Sequence, residues 1–146
     1  MKRPKKWGME PVLKYRKQIE RVAQHEYFKC LEQEEILKEQ LLKLTKDNDH
    51  LFAAIEKIRT AGTAIDQIQL YENRIFFLKT QLEQVTKGLE KQKTKTNLYR
   101  KKLLRASQKK KVLDQLKDRQ NKAYQKFLSA KETKILDEIA VLFHKR

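Results

Sequence analysis

The sequence of 146 residues contains one cysteine, two prolines and three glycines, and only 8% of it is aromatic. A single cysteine excludes an intrachain disulfide framework. Cys30 has no CxxC partner, and His25, His50 and His144 are scattered without the spacing that a metal site requires. His25, Glu26 and Cys30 share adjacent helical turns, but a surface histidine beside a small buried thiol accounts for them. Three glycines cannot supply a phosphate-cradling loop, since Gly62 and Gly88 each stand alone. Both prolines, Pro4 and Pro11, lie near the start, so nothing between Val12 and Gly62 forbids a continuous helix. The longest apolar run, Ile75 to Leu78, falls far short of the roughly 20 residues of a spanning helix. The basic N-terminus is followed by no apolar segment, which excludes a secretory signal peptide and predicts a cytoplasmic protein. These absences leave no catalytic constellation, metal site or cofactor site, and the reading is a non-enzyme.

Heptads fill the space that those residues leave. Alternating steps of three and four from Leu13 reach Arg16, Glu20, Ala23, Tyr27, Cys30, Glu34, Leu37, Leu41, Leu44, Asn48, Leu51, Ile55 and Ile58. The same steps from Ile68 reach Tyr71, Ile75, Leu78, Leu82, Val85, Leu89, Gln92, Thr96, Tyr99, Leu103, Ala106, Lys110 and Leu113. An apolar residue every 3.5 positions or so keeps one seam turned toward a partner helix. The pattern breaks once, at Thr60-Ala61-Gly62-Thr63, so the partner is in the same chain. The expected fold is all-α: one coiled-coil domain over residues 1–146, a long antiparallel two-helix hairpin. Helix 1 is expected over about 12–59, the turn over about 60–63 and a longer helix 2 over about 64–143.

At about 1.5 Å per residue the helices would measure about 70 and 120 Å, which cannot match. With the turn at Gly62, Leu13 is expected opposite the vicinity of Val112, and everything beyond Leu113 overhangs. That overhang still carries Leu116, Ala123, Tyr124, Phe127, Leu128, Ile135, Leu136, Ile139, Leu142 and Phe143. An apolar stripe without a partner in its own chain is a candidate binding surface, or a site of self-contact. Charge adds a second asymmetry. The net charge is +16, and Lys91 to Lys111 holds ten basic residues and no acid. A basic helix face serves nucleic acid, an acidic protein or lipid, or is simply solvated. Nucleic acid is disfavoured, because no reading motif accompanies the run and its aromatics do not alternate with its charges.

The ends of the chain resemble those of the flagellar export protein FliJ family. The N-terminal part of the likeness is Trp7, then Glu10-Pro11-Val12-Leu13-Lys14-Tyr15-Arg16-Lys17, Glu20 and Ala23. At the C-terminus, Leu113-Asp114-Gln115-Leu116-Lys117-Asp118-Arg119-Gln120 is similar to the family's Leu-x-x-Leu-Lys-x-Arg pattern. Tyr124, Glu132, Lys134, Leu136, Asp137-Glu138-Ile139-Ala140 and Phe143 follow it, with the family's Asp-Glu-Ile-Ala. Stalk proteins of virulence type III secretion systems share the plan, so such a stalk, or a basic coiled-coil scaffold or nucleic-acid-binding protein, is the alternative reading.

The resemblance implies a stalk in the type III export apparatus, peripherally placed at the inner membrane and serving flagellum assembly and hence motility and chemotaxis. It implies that the paired helix ends enter the ring of a hexameric export ATPase (FliI-like) through Arg16, Lys17, Leu113, Leu116, Lys117, Arg119, Tyr124 and Phe127. It further implies contact with an export gate protein (FlhA-like) through Gln40, Leu44, Leu51, Tyr71, Arg74, Ile75 and Leu78, and a role with export chaperones. This chain carries Arg74 where the family often has an aromatic, and Phe76 and Phe77 are the neighbouring aromatic candidates.

Overall fold

A computed structural model of the chain describes residues 7–62 and 65–144. It contains two helices, α1 over Glu10–Ala61 and α2 over Ile65–His144. The fold is an all-α antiparallel two-helix hairpin whose second helix is the longer, 80 residues against 52. Among the described residues there is no strand.

Helix α1 starts two residues before the expected Val12. The Met9 carbonyl accepts the Leu13 N–H at 2.9 Å, so Pro11 falls in the first turn, where its missing N–H would have had no helical partner. At the other end Thr60 and Ala61 remain helical. The Thr60 hydroxyl lies 3.1 Å from the Glu56 carbonyl and 2.9 Å from that of Lys57, which absorbs a polar side chain without leaving the helix. Gly62 then takes φ +71°, the left-handed conformation that ends helices and that residues with a Cβ adopt at a cost. The rest of the expected turn, Thr63, and the expected start of the second helix, Ala64, lie outside the described residues.

Every heptad position read from the sequence, in both helices, is buried or half-buried. The packing divides into two units, Gln24–Lys102 and Met1–Ala23 with Leu103–Arg146. In the first, Cys30, Ile55 and Leu89 are buried, Arg59 pairs with Glu72 at 4.0 Å, and the Gln92 amide donates to the Cys30 carbonyl at 3.2 Å. In the second, Leu13, Ala23, Ala106 and Leu113 form the core. The ion pairs that join its two helices are Glu20 with Lys110 at 3.6 Å and Glu10 with Lys117 at 3.0 Å. Within each unit, partners descend along α2 as positions ascend along α1, the mark of an antiparallel pair.

Leu113 takes the seam position near the start of α1, while Val112 is 55% exposed. The overhang, however, begins later than Leu113. Because α1 starts early, Glu10 is available to hold Lys117; further along α2, Gln120, Tyr124, Phe127 and Ala130 are half-buried as well. From Lys131 to His144 every residue is exposed.

Candidate partner-binding surfaces

The unit formed by the chain's two ends holds all the residues expected to meet the ATPase ring, but it uses them differently. Leu113 is only 8% exposed and packs in the seam. The Lys117 ammonium is held by the Glu10 carboxylate, and this hydrogen bond, aided by the positive charges of Lys117, Lys17 and Lys14, keeps the Glu10 carboxyl below its ordinary value. Arg16 and Lys17 are half-buried, with the Arg16 guanidinium 5.9 Å from the centre of the Tyr15 ring. Tyr124 and Phe127 are half-buried, whereas Leu116 and Arg119 face solvent.

Further along α2, Ile135, Leu136, Ile139, Leu142 and Phe143 are all exposed. Their spacing places them in two adjacent rows on one helical face. The sequence shows this stripe, yet its residues are absent from the ring-binding set that the resemblance implies. Amphipathic spacing that continues past the last residue able to pair with α1 is the signal that finds them.

In the other unit, two grooves flank Arg74. One, of about 350 Å³, is lined by Asp47, His50 and Leu51 of α1 and by Arg74, Phe77 and Leu78 of α2. The other, of about 390 Å³, is lined by Gln67, Leu70, Tyr71 and Arg74. Of the expected gate residues, Leu51, Tyr71, Arg74 and Leu78 are thus brought together, and Leu44 and Ile75 lie half-buried in the seam. Gln40 is exposed, lines neither groove and stands about 16 Å from Leu51 along α1. Asp47, His50 and Leu70 belong to the grooves without having been expected there. They occupy positions beside the seam, which a reading of core positions alone passes over. Phe76 and Phe77 are 74% and 63% exposed, so both offer an aromatic surface.

Among the described residues there is no group of His, Cys, Asp and Glu that could hold a metal ion, and no helix is long and apolar enough to cross a membrane. The model of the family described as "Flagellar FliJ protein" matches residues 5–146. The chain belongs to the FliJ family. No curated protein and no solved structure matches it. Membership makes this FliJ protein a component of the flagellar type III export apparatus, from a family of structural export proteins. The matched region includes both helices, so groove residues and exposed stripe alike fall within it.

Proposed function

We propose that this FliJ protein is a non-catalytic stalk that seats the C-terminal part of α2 in the ring of the hexameric export ATPase and presents the Arg74 grooves to the export gate. The observation that carries this reading is the run Lys131 to His144, helical and exposed at every residue while keeping an apolar face. Full burial of a Leu, Ile or Phe side chain contributes about 1.5 to 3 kcal/mol, so a ring that encloses even part of the stripe gains substantial affinity. The basic charge of the chain steers approach and apolar burial holds the complex.

Within the ring-binding set, Leu116, Arg119, Tyr124 and Phe127 make the contact together with the exposed stripe. Leu113 and Lys117 act indirectly, by keeping the two helices paired. The protein works in the cytoplasm, peripherally at the inner membrane where ring and gate meet, and export chaperones are further partners. The test is ATPase stimulation by a Leu116→Asp, Tyr124→Asp variant. Helicity should be retained and stimulation lost; a helical variant that stimulates as well as the wild type would rule out the ring contact.

A further inference from the structure

Between Lys87 and Lys102, α2 holds seven basic residues and one acid, Glu90. Leu89, Gln92, Thr96 and Tyr99 turn toward α1 and are buried or half-buried. Lys87, Lys91, Lys95, Leu98 and Lys102 follow one another at intervals of four, four, three and four, which aligns them in a single row on the helix. All five are exposed.

Among the described residues none of these four lysines makes an ion pair, although α1 carries Glu26, Glu32, Glu34, Glu35 and Glu39 in the same unit. Lys95 and Lys102 instead hold their ammonium groups 6.0 and 4.8 Å from the centre of the Tyr99 ring. Like charges at intervals of three and four destabilise a helix. The row therefore costs the isolated protein stability that an anionic partner would restore.

We propose that this row docks an acidic amphipathic helix of a partner protein, lying along α2 with carboxylates at the same four-and-three intervals and an apolar side chain against Leu98. A second helix reproduces that spacing by its own geometry. Lys95 and Lys102 directly precede the seam residues Thr96 and Leu103, the flanking positions that select partner helices by charge, whereas Lys87, Lys91 and Leu98 lie farther round α2, away from α1. The row covers an arc of about 80° and is about 22 Å long. An anionic membrane favours cations spread over a face that also carries several apolar anchors, and Leu98 is the row's only one. Lysines also meet DNA phosphates, but the row carries no base-reading motif, so duplex DNA is an outcome of the test and not the favoured occupant. The surface is separate from the ring and gate contacts, and the proposal stands or falls without them.

The experiment uses the full chain and a synthetic peptide with Glu and Leu at alternating four-and-three intervals, compared with a scrambled peptide of the same composition. Fluorescence anisotropy reads affinity and circular dichroism reads peptide helicity. The patterned peptide should become helical and bind at least about tenfold more tightly than the scrambled one, a difference of about 1.4 kcal/mol. A K91E, K95E, K102E variant should lose that binding, and K91Q, K95Q, K102Q should weaken it in the same direction. The equal charge change K122E, K126E, K131E should leave most of it. Equal affinity for the scrambled peptide, or equal loss in the two Lys→Glu triples, overturns the proposal. So does tighter binding of phosphatidylglycerol vesicles or duplex DNA through the same three lysines.

Discussion

Glu20 of α1 and Lys110 of α2 occupy seam positions, and their charged groups meet at 3.6 Å with side chains only 16% and 29% exposed. Two residues that break the apolar pattern are therefore matched to each other. Lys110 also lies 3.8 Å from Asp114, so a Lys110→Glu substitution sets three acids together where one cation held two. It should lower stability by about 1 to 2 kcal/mol, more than a fully exposed pair would. A Glu20→Lys, Lys110→Glu double variant should recover part of the loss, which urea unfolding of the four proteins of the cycle measures. A cycle showing no coupling would mean that the pair contributes nothing to the hairpin.

The cross-helix hydrogen bonds onto Cys30 work by direction and not by strength. The Thr96 hydroxyl lies 2.8 Å from the Gln92 carbonyl and 3.4 Å from that of Cys30. With one proton it favours the shorter bond, which leaves the Gln92 amide, at 3.2 Å, as the link to α1. A polar layer in a seam lowers stability but fixes register. Gln92→Leu, Thr96→Val should thus raise the urea midpoint and loosen register. Cysteine pairs placed at native and heptad-shifted facing positions, in a Cys30→Ala background, should crosslink in one register before the change and in more than one after it.

Acid should release the Glu10 contact in a defined way. Its carboxyl is held below the ordinary value in the folded protein, chiefly by the hydrogen bond from Lys117, so folding favours the ionised form. That contribution is complete above the unfolded-state value and is lost as the pH falls through the lower folded-state one. Thermal melts of wild type and Glu10→Gln should differ at neutral pH and converge under acid. A difference that widened on acidification would reverse the sign of the linkage.

The helices, their order and their seam were legible in the sequence because each rests on a periodicity that local chemistry leaves intact. The α1 boundary was less so, since Pro11 is tolerated in a first turn and Thr60 can bond back onto its own helix. That small shift gave Lys117 a partner, but the exposed segment starts only at Lys131 and not just past Leu113, a displacement of about 26 Å along α2 that two further residues of α1, about 3 Å, do not account for. The candidate surfaces were only partly legible. Heptad stepping identifies seam residues, some of which, such as Leu44 and Ile75, only hold the helices together while Leu51, Tyr71 and Leu78 also line the grooves, but the rest of the groove walls come from flanking positions such as Asp47, His50 and Leu70. Which flanks adjoin depends on the pairing of two distant stretches, and composition carries no trace of it.

Glycine acts oppositely at two places. Gly62 has φ +71°, so Gly62→Ala should destabilise the hairpin by about 1 kcal/mol through the strained conformation alone. Gly88 lies inside α2, and a Cβ there would meet nothing within 4 Å. Gly88→Ala should therefore stabilise by up to about 1 kcal/mol, the difference in helix propensity. Chemical denaturation of both variants checks the pair, and a destabilising Gly88→Ala would indicate a close approach at that site that the hairpin alone does not contain.

Arg74 lines both grooves of its unit, is exposed, and among the described residues makes no ion pair. If the gate protein docks here, a carboxylate or carbonyl of the partner falls to Arg74 while Phe77 and Leu70 receive its apolar side chains. Arg74→Glu, made on a solvent-facing position, should leave the melting temperature within a few degrees of wild type, because surface changes of this kind usually alter stability by about 0.5 kcal/mol or less. Its affinity for the cytoplasmic domain of the gate protein should drop at least about tenfold, as titration calorimetry would show. Gln40→Ala, outside both grooves, should bind as the wild type does. Were Gln40→Ala to abolish binding and Arg74→Glu to preserve it, the gate contact would have to be moved along α1, away from the grooves.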